Sequence, residues 1–113
     1  MWSSLRALKK KFVYKKKDYK KWFMLYIQHW KFKPGYHKIG AEKFLATGAP
    51  YAGAEMLGRY HAPGSLEGWI LVKAEDPKAL YEHAAEWAEF LDWETTPVFT
   101  DEEAGPICAK IYR

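Results

Sequence analysis

At 113 residues the chain has the usual length of one domain, with material for a single hydrophobic core. Its residues are 49% apolar and 18% aromatic, which excludes a disordered protein. Because Cys108 is the only cysteine, the chain can form neither an internal disulfide nor a thiolate zinc site. Its apolar runs fall far short of the roughly 20 residues of a membrane-spanning helix, so we expect a soluble, cytoplasmic protein.

The positive charge of the chain is concentrated in a basic N-terminal arm, residues 1–22. The arm contains nine Lys and Arg against one Asp, a net charge of +8, whereas residues 23–113 carry a net charge of −4. Apolar residues of the arm recur at about helical spacing: Trp2, Leu5, Leu8 and Phe12. The arm is compatible with a basic amphipathic helix that binds nucleic acid or an anionic membrane, with a solvated tail, or with an over-extended reading frame whose natural start is Met24.

The first half of the domain is predicted to contain a strand, a helix and a hairpin. The segment from Phe23 to Phe32 is rich in aromatic and β-branched residues and ends at a Lys-Pro-Gly turn, which is typical of a strand. Residues 36–47 carry a helical stripe and precede a loop rich in Gly and Pro. Two more strands are predicted at residues 55–61 and 68–75, and the six residues between them suit an antiparallel hairpin.

A second helix is predicted to begin at Asp76 and Pro77, with Asp as the N-cap and Pro in the first turn. Its predicted buried stripe consists of Leu80, Ala84, Trp87 and Leu91. His83 lies beside this stripe among glutamates, and we expect it on a solvated face of the helix.

The last strand is predicted from Trp93 to Phe99. Pro97 cannot donate to a strand ladder, so this strand should lie at a sheet edge or contain a bulge. Thr100 and Glu103 then form a predicted capping box of a terminal helix. Gly105–Pro106 should interrupt or kink that helix.

The predicted order is β-α-β-β-α-β plus a C-terminal helical segment, which is the ferredoxin-like α+β fold with a four-stranded antiparallel sheet. Helices in this order cover one face of the sheet, so each strand should be apolar on one side only. The strands at 23–32 and 68–75 are instead apolar on both sides. We therefore expect a homodimer in which two sheets pack into a shared α+β barrel.

Several short motifs resemble the dimeric α+β barrel superfamily: Phe32-Lys33-Pro34-Gly35, Gly58-Arg59-Tyr60-His61, Gly68-Trp69, Asp76-Pro77 and Trp93-Glu94-Thr95-Thr96-Pro97-Val98. Within it they resemble an uncharacterised family of small stand-alone bacterial proteins, partly from marine cyanobacteria. The resemblance covers about residues 23–113 and implies a pocket between sheet and helices in each subunit. Relatives include cofactor-independent monooxygenases, haem enzymes and isomerases, so the resemblance implies no single chemistry.

Two groups of residues are candidates for a functional site. His29 and His61 are expected to approach each other across the sheet, as an acid and base, as ligands of a metal or haem iron, or as ordinary half-buried histidines. Arg59 and His61 have the same strand parity and could hold a carboxylate or enolate oxygen. The other candidate ligand contacts are Gln28, Trp30, Trp69 and Trp93. The same residues could instead form contacts between subunits. We expect this protein to bind no metal and no cofactor.

The leading hypothesis for function is a homodimeric barrel that binds an apolar or aromatic organic acid. A second is a cofactor-independent monooxygenase or isomerase, in which His29 or His61 moves a proton and Arg59 stabilises an oxyanion. A third is an interaction module that residues 1–22 tether to nucleic acid, a membrane or a larger complex.

Overall fold

The computed structural model describes residues 23–112, so the basic arm and the amphipathic helix predicted within it lie outside the described residues. The described strands are β1 (Met24–Phe32), β2 (Ala54–His61), β3 (Glu67–Ala74) and β4 (Leu91–Val98). The described helices are α1 (His37–Thr47), α2 (Lys78–Glu86) and α3 (Asp101–Tyr112). This order confirms the predicted sequence of elements.

The four strands form one sheet in the order β2-β3-β1-β4, with antiparallel pairing between all neighbours. The predicted ferredoxin-like fold and the hairpin of β2 and β3 are therefore confirmed. Strand β4 lies at an edge of the sheet, as the presence of Pro97 predicted. In the centre of the sheet, Trp30 of β1 lies between Gly68 of β3 and Trp93 of β4.

The core lies on the face of the sheet that α1 and α2 cover, which we call the inner face. Buried and partly exposed residues alternate along strand β1, and Tyr26, Gln28 and Trp30 are buried on the inner face. Helix α1 approaches closely enough that a Cβ at Gly40 would overlap with the Phe32 ring. The main apolar core consists of Tyr26, Trp30, Ala49, Ile70, Val72, Ala74, Leu80, Trp87, Phe90 and Leu91.

Helix α2 begins as predicted but ends earlier. The Oδ1 atom of Asp76 accepts a hydrogen bond from the Lys78 N–H at 2.9 Å, which caps the first turn. The helix ends at Glu86, and both Phe90 and Leu91 donate backbone hydrogen bonds to the Trp87 carbonyl, each at 3.0 Å. Leu91 is therefore the first residue of β4 rather than part of the helical stripe, because this tight turn returns the chain to the sheet.

Helix α3 has the predicted capping box, since the Thr100 N–H donates to Glu103 Oε1 at 3.0 Å and the Glu103 N–H donates to Thr100 Oγ1 at 3.3 Å. The predicted interruption at Gly105–Pro106 is wrong, because the helix continues to Tyr112. Proline removes one backbone hydrogen bond, while the cap and three acidic residues in the first turn stabilise the positive end of the helix dipole.

The opposite side of the sheet, the outer face, keeps large apolar side chains in contact with solvent. Tyr60 is 62% exposed and Trp69 is 40% exposed, and both belong to this face with Leu25, Ile27 and Leu71. Helix α3 buries none of its residues. Among residues 23–112, no helix is long and apolar enough to cross a membrane.

Candidate functional site

An open cavity of about 70 Å³ lies between the inner face of the sheet and the two helices that cover it. Its walls are mainly aromatic, with a few polar side chains. The lining residues are Trp30, Phe32, Gly40, Ala41, Phe44, Ala49, Arg59, His61, Ser65, Ile70, His83, Trp87, Leu91 and Trp93. These residues come from all four strands, from both covering helices and from loops, so the fold itself assembles the site.

Arg59 supplies a positive charge to this cavity. Its guanidinium donates hydrogen bonds to the carbonyl oxygens of Gly48 at 3.2 Å and Ala49 at 2.7 Å, just beyond the C-terminal end of α1. It also lies 5.4 Å from the centroid of the Phe44 ring. Burial lowers the pKa of Arg59 below its ordinary value. No acidic side chain within residues 23–112 forms an ion pair with it.

His61 lies on the same face as Arg59, which confirms that the two residues project together from β2. Its ring centroid is 5.4 Å from that of Trp30 and 5.6 Å from that of Phe44. His61 is exposed. It therefore belongs to the solvent side of the cavity, next to aromatic rings.

Gln28 is fully buried and organises a polar network beside the cavity. Its Oε1 atom accepts a hydrogen bond from Tyr51 Oη at 2.5 Å, and its Nε2 atom donates to Thr95 Oγ1 at 2.9 Å and to the Leu80 carbonyl at 3.4 Å. Burial raises the pKa of Tyr51 far above its ordinary value, so the phenol stays neutral. Both ends of the Gln28 amide are thus bonded within the protein.

His83 is the site residue that sequence reasoning missed. It is only 3% exposed, so the expectation of a solvated position is wrong. Its ring stacks on Tyr51 with centroids 3.7 Å apart and meets the Trp93 ring edge-on at 5.7 Å. The sequence did indicate burial of His83, because residues 80, 83 and 87 have the spacing of one helical stripe.

The charge state of His83 follows from its surroundings. Burial and the positive charges of Arg59 and Lys43 together lower its pKa to about 4, and the Pro50 backbone partly opposes them. The ring is therefore neutral at pH 7. Neither Nδ1 of His83 nor Nε1 of Trp93 has a hydrogen-bond partner among the described residues, although both atoms are buried.

His29 and Trp69 lie on the outer face, away from the cavity. Their rings stack with centroids 4.9 Å apart, and His29 Nε2 is 2.8 Å from Glu67 Oε1. The expectation that His29 approaches His61 is wrong. Strand β3 separates β1 from β2, and the register pairs His29 with Trp69 but His61 with Gly68, so the two histidines have opposite parity.

Among the predicted site residues, the structure brings Arg59, His61, Trp30 and Trp93 together around the cavity and places Gln28 next to it. Trp69 and Trp93, which were expected to line one pocket, lie on opposite faces of the sheet. Within the part of the chain that the structure describes, no group of three or more His, Cys, Asp or Glu residues could hold a metal ion.

A family model described as a domain of unknown function (DUF3303) matches residues 24–112, nearly the whole of the described chain. No curated protein and no solved structure matches the chain.

Proposed function

The chain belongs to the DUF3303 family of domains of unknown function, and we propose that it binds a small organic anion with an apolar or aromatic body in the inner-face cavity, as one half of a homodimer. The observation that carries the ligand proposal is Arg59. Its charge lies in a largely aromatic cavity and has only neutral carbonyl partners among the described residues.

A guanidinium that is partly removed from water loses hydration, and neutral carbonyl groups replace only part of it. Arg59 has five N–H donors, and the carbonyls of Gly48 and Ala49 occupy its two terminal nitrogens once each. Donors therefore remain for a carboxylate. A hydrogen bond between charged groups contributes about 1.5 to 3 kcal/mol, more than a neutral one. An anionic ligand is the partner that this arrangement favours.

The size of the cavity limits the apolar body of the ligand. Its volume of about 70 Å³ is roughly half of the 150 Å³ cavity that holds benzene in another protein. A short aliphatic acid would fit within it, whereas an aromatic ring would enter partly and extend toward solvent past His61. The rings of Trp30, Phe44 and Trp93 supply apolar contacts in either case.

We expect Arg59→Gln to weaken the binding of benzoate and butyrate by about tenfold or more, because the variant keeps hydrogen-bonding capacity but loses the charge. Titration calorimetry or ligand-observed NMR on the full chain measures this loss. Lys73→Gln is the matched control, since it removes a positive charge from the outer face and should leave affinity unchanged.

Two outcomes would contradict the anion-binding function. One is that wild-type protein binds neither benzoate nor butyrate. The other uses benzyl alcohol, a neutral compound of similar shape to benzoate. If benzyl alcohol binds the wild type as tightly as benzoate does, and binds Arg59→Gln with that same affinity, the charge of the ligand plays no part in binding.

The homodimer proposal rests on the outer face. Four strands spaced about 4.8 Å apart, each with about eight residues at about 3.3 Å rise, present on the order of 500 Å². Two copies packed face to face would bury on the order of 1,000 Å² in total, close to the lower limit of specific interfaces. A second copy of the same face is the complementary partner, because a two-fold interface places the same surface on both subunits.

Trp69→Glu should convert the dimer into a monomer, because it places a carboxylate at the centre of the outer face beside Glu67. Native mass spectrometry of the full chain measures the mass. Tyr81→Glu is the control, since Tyr81 is 77% exposed on α2 and belongs to the other side of the sheet. A wild-type protein that is monomeric at micromolar concentration would show that the outer face has no such partner.

A further inference from the structure

We propose that the cavity recognises a hydroxyl group on its organic acid through His83 Nδ1 and Trp93 Nε1, so that the ligand class is a hydroxy acid. This inference rests on the anion-binding function proposed above and deepens it. Arg59 would hold the carboxylate, while the two rings would hold a second polar group on the same ligand.

The hydrogen-bonding capacity of these two atoms is unmet among the described residues. Both rings line the cavity, and both nitrogens are buried without a partner among the described residues. A buried polar atom without a partner costs about 1 to 3 kcal/mol. Tyr51 does not relieve this cost, because it donates to Gln28 and only stacks on His83.

A hydroxyl is the chemical group that fits both atoms at once. An indole N–H only donates, whereas a neutral imidazole nitrogen either donates or accepts according to its tautomer. A hydroxyl group can accept from Trp93 and also donate to His83 or accept from it. A methyl group satisfies neither atom. A second carboxylate is disfavoured, because these two rings offer it no positive charge in a buried setting.

The rings of His83 and Trp93 meet edge-on at 5.7 Å between centroids, with an angle of 77° between their planes. The two nitrogens are closed to water in the ligand-free protein. A ligand hydroxyl that reaches the two nitrogens would form hydrogen bonds that replace none among the described residues.

The experiment compares acids that differ only by a hydroxyl group: 3-hydroxybenzoate with benzoate, and 3-hydroxybutyrate with butyrate. In wild-type full chain, we expect the hydroxy acid of at least one pair to bind about tenfold more tightly. His83→Phe and Trp93→Phe keep aromatic rings but remove the polar atoms, so each should abolish the gain. His29→Phe changes a histidine of the outer face, away from the cavity, and should retain it.

A second measurement does not depend on any variant. In ¹⁵N-labelled wild-type protein, the indole N–H resonance of Trp93 should shift downfield with the hydroxy acid, as it gains an acceptor, and should not shift in this way with the parent acid. If the parent acids bind and the hydroxyl adds no affinity in either pair, the inference is overturned while the anion-binding function stands. A gain that survives both phenylalanine variants would overturn it equally. Absence of binding by all four acids would overturn the proposed function as well.

Discussion

The free energy of unfolding of the wild-type protein should fall by about 3 kcal/mol between pH 7 and pH 4 through His83 alone, and His83→Phe should lack this part of the decrease. The pKa of His83 is about 4 in the folded chain against 6.5 for an ordinary histidine. Above pH 6.5 the ring is neutral in both states, so its effect on stability is constant. As the pH falls toward 4, the unfolded chain binds a proton that the folded chain excludes, and stability is lost.

Urea unfolding at several pH values, followed by circular dichroism, measures this loss. Carboxylates titrate in the wild type and in the variant alike, so the difference between the two curves isolates the histidine. His37→Phe is the control, because His37 bonds to the exposed Ser65 hydroxyl and lies outside the core. Parallel curves for wild type and His83→Phe would show that His83 is not buried as described.

Gly68→Ala should destabilise the fold by about 3 kcal/mol, the upper part of the range for overpacked cores. A Cβ at position 68 would overlap with the Trp30 ring and with the backbone carbonyl oxygen of Tyr60. The backbone of Tyr60 is fixed by the ladder between β2 and β3, so it cannot move aside. Displacement of the Trp30 ring would relieve only the first overlap, and because this ring forms part of the cavity wall, ligand affinity should also fall.

The same substitution at Gly105 is the matched comparison, with the opposite sign. Gly105 lies within α3, and a Cβ there would meet no atom within 4 Å. Alanine should stabilise this helix by about 0.5 to 1 kcal/mol, because it loses less conformational freedom than glycine. Urea midpoints of the two variants relative to wild type measure both effects. Equal midpoints would contradict the described packing around Gly68.

Local patterns in the sequence predicted the fold well. Turn residues and aromatic runs located the strands to within a residue or two, and the capping residues Asp76 and Thr100 located the starts of two helices. Pro97 correctly predicted an edge strand. The joint projection of Arg59 and His61 was predictable, because parity within one strand depends on the alternation of the backbone alone.

The rest of the site depends on information that a single strand does not contain. Whether His29 and His61 share a face depends on the register across β3, and the hairpin loop alone does not determine it. The burial of His83 depends on Tyr51, which comes from a loop and covers the imidazole ring. The continuity of α3 through Pro106 reflects the balance between one lost hydrogen bond and a well-capped first turn.

The positions of the tryptophans allow intrinsic fluorescence to report on both faces of the sheet. Three of the six tryptophans, Trp30, Trp87 and Trp93, form part of one cavity wall, so a ligand that enters the cavity changes the polarity around several fluorophores at once. Trp69 on the outer face is 40% exposed and available to a soluble quencher such as acrylamide. Emission wavelength can therefore follow events on the inner face, while quenching follows protection of the outer face, in one unlabelled sample.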